Sequence, residues 1–430
     1  MMLSRMDRRS FSRLLVLGAG SGMLPSSGEA GRKSELAPVE LPKWRPGMFQ
    51  IHFIYTGVAE SMFLIFPDST TMLLDCGDHD AIERGALAVQ VLPDGKRRAG
   101  EWIARYVRRV NPNGDEVDYM VASHMHLDHT GCRRFHAGRV DWSGGTYFLS
   151  GFAQAAQALH FRRAIDRGWP DYTDPVPYWW GSSCGAAENM VNLYAHLAKR
   201  DGLAVEKFRL GVDDQIVPLR GGAGDFRCRN VCANGKVADV GGQVRDAFAG
   251  RNGKLKECHE NGMSLGMVFT VGKFKLFTAG DFSSHWNLPG GGVFEIEDVL
   301  ADAVERVDVA KLNHHACPWS SPTRLLKALD ARVFVSCVWD QLHNDAETLS
   351  RIANQSILPG RRMIVTGIFP AERMMVDAGR AFMPLLMRES WRGAHVVVTV
   401  EPGGTRYTVA RVSASDERMS VIDMCEFARD

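Results

Sequence analysis

Ser123-His124-Met125-His126-Leu127-Asp128-His129 is the stretch on which the reading of this chain turns. Three histidines and one aspartate fall within six residues of a 430-residue chain that has 14 histidines, so chance clustering is improbable. The apolar run Val117 to Ala122 before it has strand composition, and Thr130-Gly131 after it marks a turn. Side chains alternate along an extended segment, so His124 and His126 point the same way and can bind one metal ion as a pair. Asp128 and His129 follow where the chain bends and can face a second ion. Imidazole nitrogen and carboxylate oxygen are suitable ligands for Zn2+. The competing reading is a structural histidine cluster. It would bury imidazoles and carboxylates without partners, which is costly.

Upstream, Phe49 to Tyr55, Ser61 to Phe66 and Thr71 to Asp75 are short apolar runs closed by turns, which predicts a β-meander. Ala99 to Val110 reads as an amphipathic helix stopped by Asn111-Pro112-Asn113-Gly114. From about Arg139 to Glu257 the periodicity loosens and glycines multiply. Phe152 to Arg167 and Ala186 to Arg200 read as helices there, and the whole stretch reads as an insertion or cap. Tyr178-Trp179-Trp180 within it is either a stacking platform for substrate or buried packing. Beyond it come a hairpin pair, Ser264 to Val271 and Lys273 to Thr278, around Gly272. Val307 to Leu312, Arg332 to Cys337 and Met363 to Thr366 read as strands, with helices at Val299 to Val304, Thr323 to Leu329 and Glu347 to Asn354. The tail adds His395 to Val400 and Arg406 to Val412. Strands first, then helices alternating with strands, predict two β-sheets packed face to face with helices on both outer faces.

A dinuclear site needs a bridging carboxylate and a later ligand. Ala279-Gly280-Asp281 follows the strand Lys273 to Thr278, and Leu312-Asn313-His314-His315-Ala316 follows the strand ending at Leu312. Asp281 is the expected bridge, and one of His314 and His315 the last ligand.

In this order the motifs resemble the metallo-β-lactamase superfamily, an α/β class whose fold is an αββα four-layer sandwich, here with a large insertion. More narrowly, the chain resembles the soluble hydrolase domain of ComEC-type competence proteins over about Met48 to Leu358, the insertion excluded. That match rests on Gly57-Val58-Ala59-Glu60-Ser61, Pro67-Asp68, Asp75-Cys76-Gly77, Glu260-Asn261, Ser264-Leu265, His314-His315, His343 and Glu347. There are departures. The family's His-His-Gly-Ser is His314-His315-Ala316-Cys317 here, and its Asp-Ala-Gly is Asp75-Cys76-Gly77. The membrane-spanning channel portion of the competence protein has no counterpart.

The resemblance implies two Zn2+ ions held by His124, His126, Asp128, His129, Asp281 and His314. It implies a metal-bound hydroxide as nucleophile, with Asp128 orienting the water or taking its proton. His315 and His343 would contact an oxyanion or protonate the leaving group, and Asp75 would orient a ligand histidine or simply end its strand. Many relatives carry a further histidine on the first metal. The candidates are His136, His160, His196 and, first among them, His259. The implied substrate is a phosphodiester, either a small molecule or a nucleotide or nucleic acid. Ester, lactone or β-lactam hydrolysis is the alternative, and a non-catalytic metal-binding module the third. Arg133-Arg134 would either attract a phosphate or form a solvated helix face.

Composition adds bounds. The net charge of +1 gives no global pull toward nucleic acid or membrane. Arg8-Arg9 before Phe11, a modestly apolar Leu14 to Leu24 and small residues to Ala30 read as a twin-arginine export signal over residues 1–30. A lead-in segment, 31–47, and a hydrolase domain, 48–430, with its insertion at 139–257, follow. The mature chain is expected to be soluble, without a stable membrane span, and periplasmic or secreted. The nine cysteines contain no CxxC pair, which argues against a cysteine zinc knuckle. Cys228 and Cys232 are close enough in sequence to bridge in an oxidising compartment.

Overall fold

Met62 and Leu64 face one hydrophobic core while Phe63 and Ile65, their neighbours on the same strand, face another. That period-two alternation with both faces buried is the signature of a sheet covered on each side. The computed structural model describes residues 40–79, 89–133, 138–175, 177–178, 182–222, 224–249, 260–283, 285–287 and 293–429. The export-signal reading lies outside the described residues.

The chain enters through an antiparallel meander of β1 (Phe49–Phe53), β2 (Ser61–Ile65) and β3 (Thr71–Cys76). Helix α1 (Ala99–Val110) crosses over to β4 (Glu116–Val121), which runs parallel to β3 and leads into the single turn α2 (Leu127–Thr130). A small hairpin of β5 (Arg139–Trp142) and β6 (Gly145–Phe148) follows, then β7 (His160–Asp166), α3 (Ala186–Asp201) and β8 (Ala204–Lys207). Next come β9 (Phe226–Ala233), β10 (Lys236–Ala238) and β11 (Val244–Asp246), then the hairpin of β12 (Gly266–Val271) and β13 (Phe274–Thr278). A second small hairpin pairs β14 (His285–Asn287) with β15 (Val293–Glu295). Then β16 (Val309–Lys311), α4 (Thr323–Leu329), β17 (Val333–Ser336), α5 (Ala346–Ala353) and β18 (Met363–Thr366) alternate. The chain closes with the meander β19 (Ala394–Val400), β20 (Arg406–Ser413) and β21 (Val421–Ala428).

Two large sheets result. One is nine-stranded, in the order β21-β20-β19-β1-β2-β3-β4-β7-β8, and the other eight-stranded, in the order β11-β10-β9-β12-β13-β16-β17-β18. Phe49, Ile51, Leu64 and Val121 of the first sheet share a core with Phe269, Leu276, Val309 and Val335 of the second. Outside the first sheet, Ile103 and Val107 of α1 and Leu193 and Tyr194 of α3 pack on Phe63, Leu73 and Met120. Outside the second, Leu325 and Leu326 of α4 and Leu349 and Ile352 of α5 pack on Phe277 and Phe334. Three cores separate four layers, helix–sheet–sheet–helix, as expected of the αββα sandwich.

The stretch expected as an insertion or cap, 139–257, is instead built into both sheets. Its β7 and β8 extend the first, parallel to β4, and its β9 to β11 extend the second beside β12. Arg220 ties it down by donating two hydrogen bonds to the carboxylate of Asp118 at the base of β4, at 2.7 and 2.9 Å. Of the helix expected at Phe152 to Arg167 only Phe152–Ala155 is helical, and His160–Asp166 is strand β7. The alanine-rich sequence favours a helix, but pairing on both sides overrides that preference. Cys228 and Cys232 lie on the same strand, β9. Four residues of strand rise separate them by about 13 Å, beyond a disulfide's reach. Cys228 and Cys232 are both free thiols. No helix among the described residues is long and apolar enough to cross a membrane.

Topology decides where the site must be. β3 and β4 are parallel, as are β13, β16, β17 and β18, and each group delivers its carboxyl ends to one edge of the sandwich. Ligands in open α/β sheets gather at that edge. Asp75, the histidine motif, Asp281 and the His314-His315 pair all sit at such strand ends.

Candidate metal centre

The histidine motif leaves β4 and is clamped on both sides. Ser123 donates its backbone N–H and its hydroxyl to the two oxygens of Asp75, both at 2.7 Å. Gly77 packs against the backbone of Asp128 so tightly that a Cβ there would lie 1.8 Å from the Asp128 carbonyl oxygen, so only glycine fits. Gly280 has φ +50° and a Cβ on it would press on the Ser123 side chain at 2.8 Å. That glycine lets β13 turn Asp281 toward the histidines.

His124 Nε2 and His126 Nδ1 lie 3.0 Å apart, and Asp281 Oδ2 is 4.0 Å from His124 Nε2. Burial holds both rings below the usual histidine pKa, aided at His124 by the neighbouring histidines, so each keeps a lone pair.

The second group is tighter. Asp281 Oδ2 lies 3.2 Å from both His129 Nε2 and His315 Nε2. Asp128 Oδ2 lies 3.1 Å from His315 Nε2 and 3.6 Å from His129 Nε2. His129 Nδ1 faces Asp75 Oδ2 at 2.8 Å, and His315 Nδ1 faces the Cys337 carbonyl at 3.0 Å and Glu60 Oε2 at 3.3 Å. Facing acceptors, both Nδ1 atoms must carry the proton. Both Nε2 atoms then face carboxylate oxygens, where positive charge is needed, supplied by a proton on the ring or by a metal ion between the ligands. His129 Nε2 and Asp281 Oδ1 are buried without a hydrogen-bond partner among the described residues. Four ligands about 2.1 Å from a tetrahedral ion stand about 3.4 Å apart, which the observed spacings bracket. The residues therefore fit a metal ion. Glu60, His129, Asp281 and His315 also offer one ligand atom each within 4.8 Å of one another.

The electrostatics agree. Burial disfavours charge on His129 and His315, yet the surrounding carboxylates outweigh it and hold both rings well above the usual histidine pKa. Burial opposes ionisation of Asp128 and Asp281 as well, and the same histidines hold both carboxyls well below their usual range. The centre demands positive charge.

His315, expected as a catalytic group, is thus the member of the pair inside the cluster. His314, expected as the metal ligand, turns aside: its Nδ1 lies 2.8 Å from Ser283 Oγ and its Nε2 3.2 Å from Asn261 Nδ2. The cause is local backbone. His314, His315 and Ala316 have φ of +47°, +54° and +56°, so the two rings leave the chain in different directions. Such left-handed residues each cost about 1–3 kcal/mol. Asn313 holds the turn, donating to Glu297, which also accepts from Ser321 N.

His343 stacks on His315 with centroids 4.5 Å apart and a 17° interplanar angle. Its Nδ1 faces the backbone N–H groups of Trp339 and Asp340, so its own proton is on Nε2. His160 lies exposed at the start of β7, and His196 packs on Trp142 and Tyr147. Neither joins the centre, and His136 and His259 lie outside the described residues, as do Trp179, Trp180 and Arg134. Tyr178 is buried, and the Arg133 guanidinium sits over the Phe148 ring.

Residues 55–132 match the family model of the metallo-beta-lactamase superfamily. The match spans β2 to α2 and so takes in Glu60, Asp75 and all four residues of the histidine motif. No curated protein matches the chain. Members of this superfamily are mostly metal-dependent hydrolases and typically bind zinc. The buried cluster is where a superfamily metal would be held.

Two neighbours of the centre, Trp339 and Lys311, escaped the sequence reading, and Glu60 entered it only within the family-like turn, without a role. Trp339 Nε1 donates to Asp128 Oδ2 at 2.9 Å. Glu60 and Lys311 form a buried ion pair at 3.0 Å beneath His315. A charged residue inside the apolar run Val307 to Leu312 was the available signal, since a buried charge requires a partner.

Proposed function

We propose that this chain is an exported zinc-dependent hydrolase with two ions, acting on phosphodiesters. His124, His126 and Asp281 would hold the first ion, and Asp128, His129, Asp281 and His315 the second. The observation that carries this reading is the pair of Nε2 atoms, on His129 and His315, facing the Asp281 carboxylate at 3.2 Å each. When bound, zinc lowers the pKa of a water molecule toward neutrality and polarises a substrate oxygen.

The chain's own groups do the rest. Asp128, 6 % exposed at the edge of the cluster, takes the proton from the attacking water. Trp339 fixes that carboxylate by donating to Oδ2. His343, with its Nδ1 occupied, offers Nε2–H to developing negative charge. Burial, then His315, hold it well below the usual histidine pKa, so it acts as a neutral donor rather than an acid.

The phosphodiester assignment is supported by where the ComEC-like residues lie. Glu60 reaches His315, Asp75 reaches His129, Glu260 accepts from Met125 N, Asn261 meets His314, and Ser264 Oγ accepts from Asp281 N. The resemblance is concentrated on the shell of the centre. Export is supported by Arg8-Arg9 before Phe11, the apolar stretch Leu14 to Leu24 and the small residues to Ala30, and predicts that replacing both arginines with lysine retains the chain in the cytoplasm.

The test compares turnover of bis(p-nitrophenyl) phosphate, a lactone and nitrocefin by zinc-loaded protein. Diester hydrolysis abolished by Asp128→Ala is expected. Preferential turnover of the lactone or nitrocefin would overturn the substrate assignment, and full diesterase activity in Asp128→Ala would overturn the mechanism.

A further inference from the structure

Lys311 and Glu60 are an ion pair with almost no exposure, 0 % and 1 % for their side chains, and neither takes part in the chemistry above. Burying two charges is expensive, and well-packed neutral residues often serve stability as well or better. The pair's contacts give it a different purpose. Lys311 Nζ lies 3.0 Å from Glu60 Oε1 and donates to the carbonyl oxygen of Gly280 at 2.8 Å, immediately before Asp281. Glu60 Oε2 lies 3.3 Å from His315 Nδ1 and has no other partner among the described residues. The Glu60 backbone N–H donates to the Asp128 carbonyl at 2.9 Å. One pair therefore touches every segment that supplies the second group of ligands: Asp128-His129, Asp281 and His315. Glu60 reaches His315 from the Nδ1 side, opposite the Nε2 that faces Asp128 and Asp281, which makes it a support rather than a ligand.

We propose that the Glu60–Lys311 pair is the positioning device of the second metal site, aligning His315 through Nδ1 and Asp281 through the Gly280 carbonyl. The inference rests on the dinuclear reading above. Carboxylates behind metal-bound histidines fix ring orientation and raise ligand basicity, and their loss typically weakens metal binding about ten- to a hundredfold.

Cobalt(II) titrated into metal-free full-length protein, followed by its visible d–d absorption, tests the proposal. Glu60→Gln alone strands a buried ammonium and risks misfolding. The decisive variant is therefore Glu60→Gln/Lys311→Met, which removes both charges while filling the same space. The expected result is one cobalt equivalent weakened about ten- to a hundredfold with an altered spectrum, and a smaller loss at the other, which shares Asp281 alone. Thermal unfolding of the metal-free variant should stay cooperative. A purely structural pair would leave both equivalents and the spectrum unchanged, and that result overturns the proposal alone. Equal weakening of both sites overturns it too, since only the second site draws on His315 as well as on Asp281. A wild-type chain that takes up no cobalt overturns the dinuclear reading, and this inference with it.

Discussion

His129 Nδ1 lies 2.8 Å from Asp75 Oδ2, and the same carboxylate accepts both the backbone N–H and the hydroxyl of Ser123. Asp75 thus sets the rotation of His129 and the start of the histidine motif with one side chain. Burial raises its pKa, against the pull of His129, so its charge is maintained by its partners. Replacing it with asparagine keeps the shape but removes the charge that orients the ring. Asp75→Asn should weaken zinc binding about ten- to a hundredfold with little change in far-UV circular dichroism. Competition with a chromophoric chelator measures this; unchanged affinity would show that Asp75 only ends its strand.

The two adjacent histidines should separate cleanly. His315→Ala removes a cluster ligand and should lower zinc content from two ions toward one, with loss of turnover. His314→Ala removes a ring held by Ser283 and Asn261 and should retain both ions. Metal analysis by mass spectrometry distinguishes them. Metal lost from the His314 variant but kept in the His315 variant would reverse the assignment made here.

Metal removal should be felt most at high pH. In the metal-free protein, protons on His129 and His315 balance the carboxylates, and both rings titrate well above the usual histidine value. A folded pKa above the unfolded one gives stability that is complete below about 6.5 and lost as pH rises through the folded value. Zinc supplies the charge without protons, so its stabilising effect should grow with pH. At a hundredfold excess over Kd it contributes about 2.7 kcal/mol. Melting with zinc and with EDTA at pH 6 and pH 8.5 should show the larger shift at pH 8.5, and equal shifts would sink the idea.

Much of this centre was legible because its chemistry is local in sequence. His124, His126, Asp128 and His129 sit on one strand end, and Asp281 and the His314-His315 pair each follow an apolar run. The four layers were legible too, since strands buried on both faces read as apolar runs, as in Ser61–Ile65. What did not show was whatever depends on distant partners. Strand β7 hid because His160 and Arg162 face solvent while the alanine-rich run before it favours a helix, and only β4 and β8 make it a strand. Which of His314 and His315 enters the cluster was set by three left-handed residues, and ordinary side chains do not announce that conformation. Glu60 and Lys311 lie 251 residues apart and meet only in the folded sandwich.

Far from the centre, two buried histidines should make the fold acid-sensitive. His52 Nδ1 lies 2.9 Å from the Tyr106 hydroxyl and its Nε2 3.2 Å from Gln50 Oε1; His395 accepts the Tyr55 N–H on Nδ1 at 3.1 Å. Burial pushes both down to about 3, with His52 and Arg109 adding to the effect at His395. The nearby Arg109 guanidinium is paired with Glu417 at 2.5 Å. Between pH 6.5 and 3 the unfolded chain binds a proton at each position that the folded chain refuses. Stability therefore falls as pH drops through that window, by about 1.4 kcal/mol per pH unit for each histidine. Glu297, pushed by burial up to about 8, acts in the opposite sense between pH 4.5 and 8, so the absolute slope is a sum. The difference between wild type and His52→Gln isolates one histidine, since glutamine still offers Tyr106 a partner but does not titrate. From pH 6.5 to 4 the variant should lose roughly 3 kcal/mol less stability than wild type in urea unfolding. Parallel losses in the two proteins would mean that His52 accepts its proton in the folded state.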